Sequence, residues 1–365
     1  MTVGQVAAFL DGIFPRAYAE DFDNIGLLCG EPDVEVSGVL VAHDALECVV
    51  DEAVERGLNL IVAYHPIIFK GLKSLTGRTY VERSVMKALR KGVAIYALHT
   101  ALDNHRDGVS ALTARALGLQ DLQVLIPQED NLRVLVTYVP HAQAESLRAA
   151  LFAAGAGVIG NYDSCSYNVE GYGTFRPLEG AQPFVGKKGS VHTEPETRVS
   201  VVFPRHLTGV VEKALREAHP YEEPAYEIYS TVNRHPEIGI GTLGRLPEPV
   251  AEREFLVRVK EVLQIPVLRH SALRDKPVER VAVVGGSGAF AIGAARAAGA
   301  DVLITGDLKY HDFFAGESSI VLVDAGHYET ERFVTGYLAG ILSEKFPNFA
   351  VVESGRGTNP VYYHI

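Results

Sequence analysis

The sequence predicts an α/β protein of two lobes, one at each end of the chain, with a ferredoxin-like α+β domain inserted between them. Three observations predict it. Short apolar runs alternate with helical patterns over residues 1–127 and again over 233–365, the order that yields a mostly parallel sheet. The middle, 128–232, instead carries one pattern twice, a β-branched strand ending in proline and then an amphipathic helix. At 365 residues, 47% hydrophobic and 22% charged, the chain can bury a large core and divide into two or three domains.

In the first lobe a helix is expected near 3–14, a strand at "GVLVAHDA", a helix near 47–57, a strand at "LNLIVAYHP", a helix near 81–91 and a strand at "VAIYALHTALD". The insert opens with "NLRVLVTYVP" and the helical "AQAESLRAALFAAG", and resumes with "ETRVSVVFP" and "HLTGVVEKALREA". Further strand patterns near 163–170 and 224–230 complete a β-α-β-β-α-β order. The Gly- and Pro-bearing "FRPLEGAQPFVGKKGS" and "NRHPEIGIGTLGRLPEP" read as its internal loop and exit linker. The second lobe follows with "RVAVVGG", a small-residue helix "AFAIGAARAAGA", "DVLITGD", "SIVLVDAGH", a helix near 329–345 and a last strand "FAVVES".

Composition narrows the function classes. Lys+Arg 34 against Asp+Glu 45 gives −11, and no basic cluster interrupts that acidity, which argues against a nucleic-acid partner held through its phosphates. Cys29, Cys48 and Cys165 show no CxxC spacing and fit a reducing compartment, so a cytoplasmic location is expected. The start lacks a basic leader, and no apolar run approaches the roughly 18 residues of a membrane span.

Four apolar runs in the outer lobes end in polar groups: "IVAYH", "AIYALHTALD", "VLITGDLKYH" and "IVLVDAGHYETE". Sites in parallel sheets gather beyond the carboxyl ends of the strands, so His65, His99, Asp103, His311, His327 and Glu331 are candidates to converge. The i, i+4 spacing of His327 and Glu331 puts imidazole and carboxylate on one helix face after a turn freed by Gly326. Imidazole with carboxylate suits Zn, Fe, Mn or Ni better than Mg or Ca. Each residue alone has a plainer reading. His65 before proline could be a satisfied buried histidine, His327 and Glu331 a solvated pair, and Asp103 a cap for a helix beginning near Gly108. In "VVGGSGAF", Gly285, Gly286 and Gly288 either bring backbone N–H groups to an anion or form a tight strand-to-helix turn. Asp307, Lys309 and His311 share a loop after a strand, where Lys309 could neutralise an anionic substrate.

Taken together, "EDFDNIGLLCG", "YHPIIF", "HTALDN", "GADVLITGDLKYHD" and "DAGHYETE", in that order, resemble the NIF3-like family of dinuclear-metal proteins, also named GTP cyclohydrolase 1 type 2 homologues. The insert, with "AHPYEEPAYEIY", is similar to the PII/CutA-like insert of longer bacterial members. The resemblance implies two divalent ions held by His65, Asp103, His327 and Glu331, with the carboxylates sharing them. One position departs: the family commonly has two histidines before the proline, and the first, expected on the same ion as His327, is Tyr64 here. A phenol with pKa about 10 is a poor ligand unless a metal deprotonates it. Tyr64 then binds as tyrosinate, or turns away while a water, His99 or His311 completes the shell, or leaves the second ion weakly held; turning away is the expectation, and a Tyr64 that simply packs its ring is compatible with a weak second site.

Such a centre implies a metal-dependent hydrolase acting on a small molecule, GTP or another nucleotide or phosphoester, with His311 or His99 transferring protons. The alternative is a non-catalytic metal-binding regulator whose insert senses a ligand. The resemblance also implies a homo-oligomer, a hexameric ring.

Overall fold

The first element, α1 (Val3–Ile13), begins with a reciprocal cap: Thr2 Oγ1 accepts from the Gln5 amide, and the Gln5 side chain accepts from Thr2 N–H. Thr2→Ala is expected to cost about 1 kcal/mol, read as a lower urea midpoint with an unchanged slope. The computed structural model describes residues 1–364. After α1 come β1 (Gly26–Cys29), β2 (Val39–Asp44), α2 (Glu47–Glu55), β3 (Leu60–His65), α3 (Tyr80–Lys91) and β4 (Ala94–Ala97). The short α4 (His99–Asp103), then α5 (Val109–Ala116) and β5 (Gln120–Pro127), complete the first stretch.

Residues 128–235 form a unit of their own. Its elements are β6 (Leu132–Pro140), α6 (Ala144–Ala153), β7 (Tyr167–Phe175), β8 (His192–Pro204), α7 (Thr208–Ala218) and β9 (Tyr226–Ser230). The sheet order is β7-β8-β6-β9 with every pair antiparallel, so the strands of this unit lie 2-3-1-4, the ferredoxin-like arrangement. Both helices cover one face, where Leu147, Leu151, Val211 and Leu215 pack on Leu135, Val199 and Phe203.

The remainder supplies β10 (Gly239–Ala251), α8 (Glu252–Leu263), β11 (Arg269–His270), β12 (Pro277–Ser287), α9 (Ile292–Ala297), β13 (Val302–Gly306), β14 (Val321–Asp324), α10 (His327–Glu331), α11 (Val334–Lys345) and β15 (Val351–Glu353). Together with 1–127 it makes the other unit. Two sheets run through that unit, β1-β4-β3-β2-β15 and β11-β14-β13-β12-β10-β5. The β4-β3-β2-β15 and β12-β13-β14 ladders are parallel, and the remaining pairs antiparallel. Each sheet borrows a strand from the far end of the chain: β15 extends the first and β5 extends the second. The central strands are buried on both faces, as near-continuous apolar runs require.

One expected helix is two. The segment near 329–345 divides at Arg332–Phe333 into α10 and α11. The Thr330 carbonyl accepts from the buried Thr113 hydroxyl at 2.7 Å, and Thr330 Oγ1 donates back to the His327 carbonyl at 2.8 Å, which diverts the acceptor a continuous helix would offer to Val334 N–H. Among the described residues no helix is long and apolar enough to cross a membrane.

Candidate metal centre

The carboxyl ends of strands in both sheets deliver the polar groups. β3 ends in Tyr64 and His65, α4 carries His99 at its first residue and Asp103 at its last, and α10 does the same with His327 and Glu331. Both short helices thus use the four-residue spacing that stacks two side chains on one face. Gly326, at φ 91°, turns the chain from β14 into α10.

Glu331 is the centre of the group, 3% exposed. Its Oε2 lies 3.4 Å from His65 Nε2 and its Oε1 lies 3.3 Å from His327 Nε2. The far nitrogen of each ring is already committed: His65 Nδ1 is 2.9 Å from Asp44 Oδ1, and His327 Nδ1 is 2.6 Å from Asp307 Oδ2. A carboxylate only accepts, so Nδ1 carries a proton in both rings, and each ring turns its Nε2, the nitrogen left for a metal, towards Glu331. Each Nε2, with the Glu331 oxygen it faces, offers a nitrogen and an oxygen donor to one cation. Nitrogen and oxygen donors so disposed fit a divalent transition ion. His43, Asp44 and His65 form a second group of possible ligand atoms beside the first.

Tyr64 does not turn away, contrary to the expectation from sequence. It is 1% exposed, and its hydroxyl donates to Asp103 Oδ1 at 2.6 Å while standing 3.5 Å from Glu331 Oε1. The ring has no alternative, because β3 is a central strand and Tyr64 packs in the apolar cluster with Val62, Tyr96 and Leu102. Burial, together with Asp103 and Glu331, raises the phenol well above its ordinary range, so it keeps its proton and acts as a donor. Burial likewise pushes Asp103 up to about 6, against the opposing pull of His99 and the Tyr64 bond.

Glu331 goes the other way. Burial would raise its carboxyl, but the His43 hydrogen bond and the nearby His65 and His327 rings hold it lower. His327 is raised, since Glu331 and Asp307 outweigh the cost of burying its charged form. His99 is also raised, for burial is outweighed by Asp23, whose Oδ1 is 2.9 Å from His99 Nδ1, and by Asp103.

His65, His327 and Glu331 therefore meet, with Tyr64 joining Asp103 to Glu331. His99 stands beside them, its ring centre 5.3 Å from that of His65. His311 is not brought in: it is exposed, its ring lies against Tyr310 and Phe314, and no bond among the described residues joins it to the cluster. Lys309 is exposed at the start of the same turn. Asp103 does not cap α5, whose N-cap is Gly108 with no side-chain hydrogen bond; it is instead the last residue of α4. The glycine-rich turn offers no free anion cradle either. Gly285 N–H donates to Ser110 and Gly286 N–H to Thr330, while a Cβ on Gly286 would overlap Glu331 and crowd His327.

Sequence reasoning missed His43, Asp44 and the part Asp307 plays. His43 is 5% exposed, and its Nε2 lies 3.0 Å from Glu331 Oε2. The signal was present in "VAHDA", a fifth apolar strand ending in polar groups. Asp307→Asn, which replaces an acceptor that orients His327, is expected to weaken metal affinity by about 10- to 100-fold, measured by competition with a chelating dye.

Two clefts open onto the group. One, of about 720 Å³, is lined by Asp44, His65, His99 and His327 and edged by Phe69, Lys70 and Lys73. The other, of about 710 Å³, shares Asp44, His65 and His327 and is walled by Asn359 and Tyr363 near the chain's end.

Relatives carry the same architecture. A protein from Bacillus subtilis named GTP cyclohydrolase 1 type 2 homolog is 39% identical over 363 residues, covering 98% of this chain and 97% of its own. A protein of the same name from Halalkalibacterium halodurans is 38% identical over 351 residues, covering 95% and 94%. The crystal structure of a Bacillus cereus protein related to NIF3 superposes with a TM-score of 0.87 at 36% identity, covering 100% of this chain and 99% of the other. The family model described as Duf34/NIF3 (NGG1p interacting factor 3) matches residues 1–360, and on that match and these identities the chain belongs to the DUF34/NIF3 family.

Proposed function

We propose that the chain is a metal-dependent hydrolase whose centre is held by His65, His327 and Glu331, with Asp103 serving a second ion on the Tyr64 side. The observation that carries this reading is Glu331, buried, with one imidazole Nε2 opposite each of its oxygens. A bound divalent ion would supply Lewis-acid chemistry, polarising an attacked carbon or phosphorus centre and easing the ionisation of water. The chain's own residues do the rest. Asp44 and Asp307 fix the imidazoles, and His43 holds the Glu331 carboxylate in place. His99, with Nδ1 committed to Asp23, turns Nε2 to the proton transfer and lines the cleft. Lys70, Lys73 and Phe69 on the rim suit a substrate with an anionic group and a flat ring, such as a nucleotide. The relatives' name makes GTP the first substrate to test.

The test is turnover by the full chain loaded in turn with Zn, Fe, Mn and Ni, against GTP and a panel of phosphoesters. The reading expects product that chelation abolishes, and a loss of about 10²- to 10⁴-fold in His99→Gln. No product from any loaded form would sink it. The hexameric assembly belongs to this proposal too, and sedimentation of the loaded protein tests it.

Tyr64 favours a second reading, a metal-binding regulator without catalysis, because its hydroxyl stands where the family has a histidine and is hydrogen-bonded to Asp103, the carboxylate a second ion would need. Tyr64→His is expected to raise bound metal by about one equivalent per chain, measured by elemental analysis. If only that variant turns substrate over, the natural chain is the regulator.

A further inference from the structure

The unit formed by 128–235 carries a cavity that the metal centre does not use. Strand alternation sends Val199, Val201 and Phe203 of β8 to the helices, and so turns Glu196 and Arg198 to the opposite face of the sheet. The loop after β7 and the 219–225 segment roof part of that face and leave a cavity of about 610 Å³, within the range of small-molecule sites.

Its lining is aromatic on one side and anionic at the floor. The Tyr221 ring centre is 5.8 Å from that of Phe175 and 6.3 Å from that of Phe184. Glu196 is only 7% exposed. Its Oε1 accepts the Tyr221 hydroxyl at 2.8 Å, and among the described residues its Oε2 receives no hydrogen bond and no Lys, Arg or His pairs with it. Half of this carboxylate's acceptors are therefore open to a donor that enters the cavity. Gly173 makes room for the carboxylate itself, since a Cβ there would overlap it. Around the cavity Glu170, Glu222 and Glu223 join Glu196 against Arg176 and Arg198, leaving it net negative.

We propose that this cavity binds a small organic cation with a flat apolar body, an amidinium, guanidinium or aryl-ammonium, its N–H groups on Glu196 and its body against Tyr221, Phe175 and Phe184. The carboxylate supplies directional acceptors, and the ring faces attract the same charge. An anion meets net repulsion there, and a purely apolar ligand leaves Glu196 uncompensated.

Isothermal titration of the full chain with benzamidine tests this, with benzoate and benzyl alcohol as charge-reversed and neutral controls. Saturable binding of benzamidine alone is expected, weakened about tenfold or more in Glu196→Gln. Phe184→Ala, at a half-exposed position that folding tolerates, should weaken it by about two- to fivefold. Equal binding by wild type and Glu196→Gln, or tighter binding of benzoate, overturns the proposal. So does a wild type that ignores benzamidine while Glu196→Gln falls apart as an oligomer, which would place a basic side chain of a second copy in the cavity.

Discussion

Glu331→Gln is expected to leave the protein folded and to lower its metal affinity by more than about 100-fold, beyond the 10- to 100-fold typical of residues that merely orient a ligand. The substitution keeps the side chain's shape and its acceptor towards His43. It removes the negative charge that faces both His65 and His327, and it puts an amide N–H, which holds no metal, opposite one imidazole Nε2. Elemental analysis after dialysis reads the first consequence. Thermal unfolding reads the second: at a free metal level of a hundred times the wild-type Kd, binding contributes about 2.7 kcal/mol, and the variant should gain almost none of it. A variant that holds metal as well as wild type would place the ion elsewhere.

Glu252→Ala is expected to cost about 3–5 kcal/mol, the range for breaking a buried ion pair. Glu252, at the first residue of α8, accepts from Arg274 Nε at 3.2 Å and from the backbone N–H groups of Arg274 and Asp275. Arg274 is 8% exposed and also reaches Asp301 Oδ1 at 3.0 Å. Removing Glu252 strands two backbone amides and takes from the guanidinium one of its two carboxylate partners. Against the 5–15 kcal/mol of a typical domain, about a third of the stability is at stake. Chemical denaturation measures it, and Glu252→Gln should lose less, since it still accepts.

The same network makes acid its weak side. Burial would raise the Asp301 carboxyl, but the Arg280 and Glu279 N–H groups and Arg274 outweigh it and hold the folded value below the ordinary one. A lowered folded pKa means that the contribution is complete above the unfolded value of about 3.9 and is lost as pH falls through the folded one. A denaturation series from pH 5 downward should show that loss, and Glu252→Ala should steepen none of it above pH 5.

Periodicity located the parallel strands, because their ladders are buried on both faces and leave uninterrupted apolar runs such as "LIVAYH" and "VLITG", but it passed over β1, β5 and β10, the last lying in the Gly- and Pro-bearing stretch read as an exit linker. It could not show that β15 would cross to pair with β2, since pairing partners leave no trace in a strand's own pattern. In the site, the His327 and Glu331 pair was legible because one helix turn fixes both. Asp44 and Asp307 were not, for each reaches its histidine across a strand end, 21 and 20 residues away, with no local pattern to mark the bond. His43 reads as one more core position of β2. His311 misled for the converse reason: it is near Asp307 in sequence, but Asp307 at φ 57° turns the chain into an exposed loop.

Pro127, the last residue of β5, stands opposite Gly239, the first of β10, in one antiparallel ladder. Everything from 128 to 235 is therefore, to the second sheet, the tip of a hairpin. Genetically that makes it removable cargo: a deletion closed by a few turn residues breaks no rung between β5 and β10 and touches none of His65, Asp103, His327 or Glu331. Lineages could gain, shed or exchange such a module in a single recombination event, and the metal chemistry and the accessory domain could then evolve under separate selection.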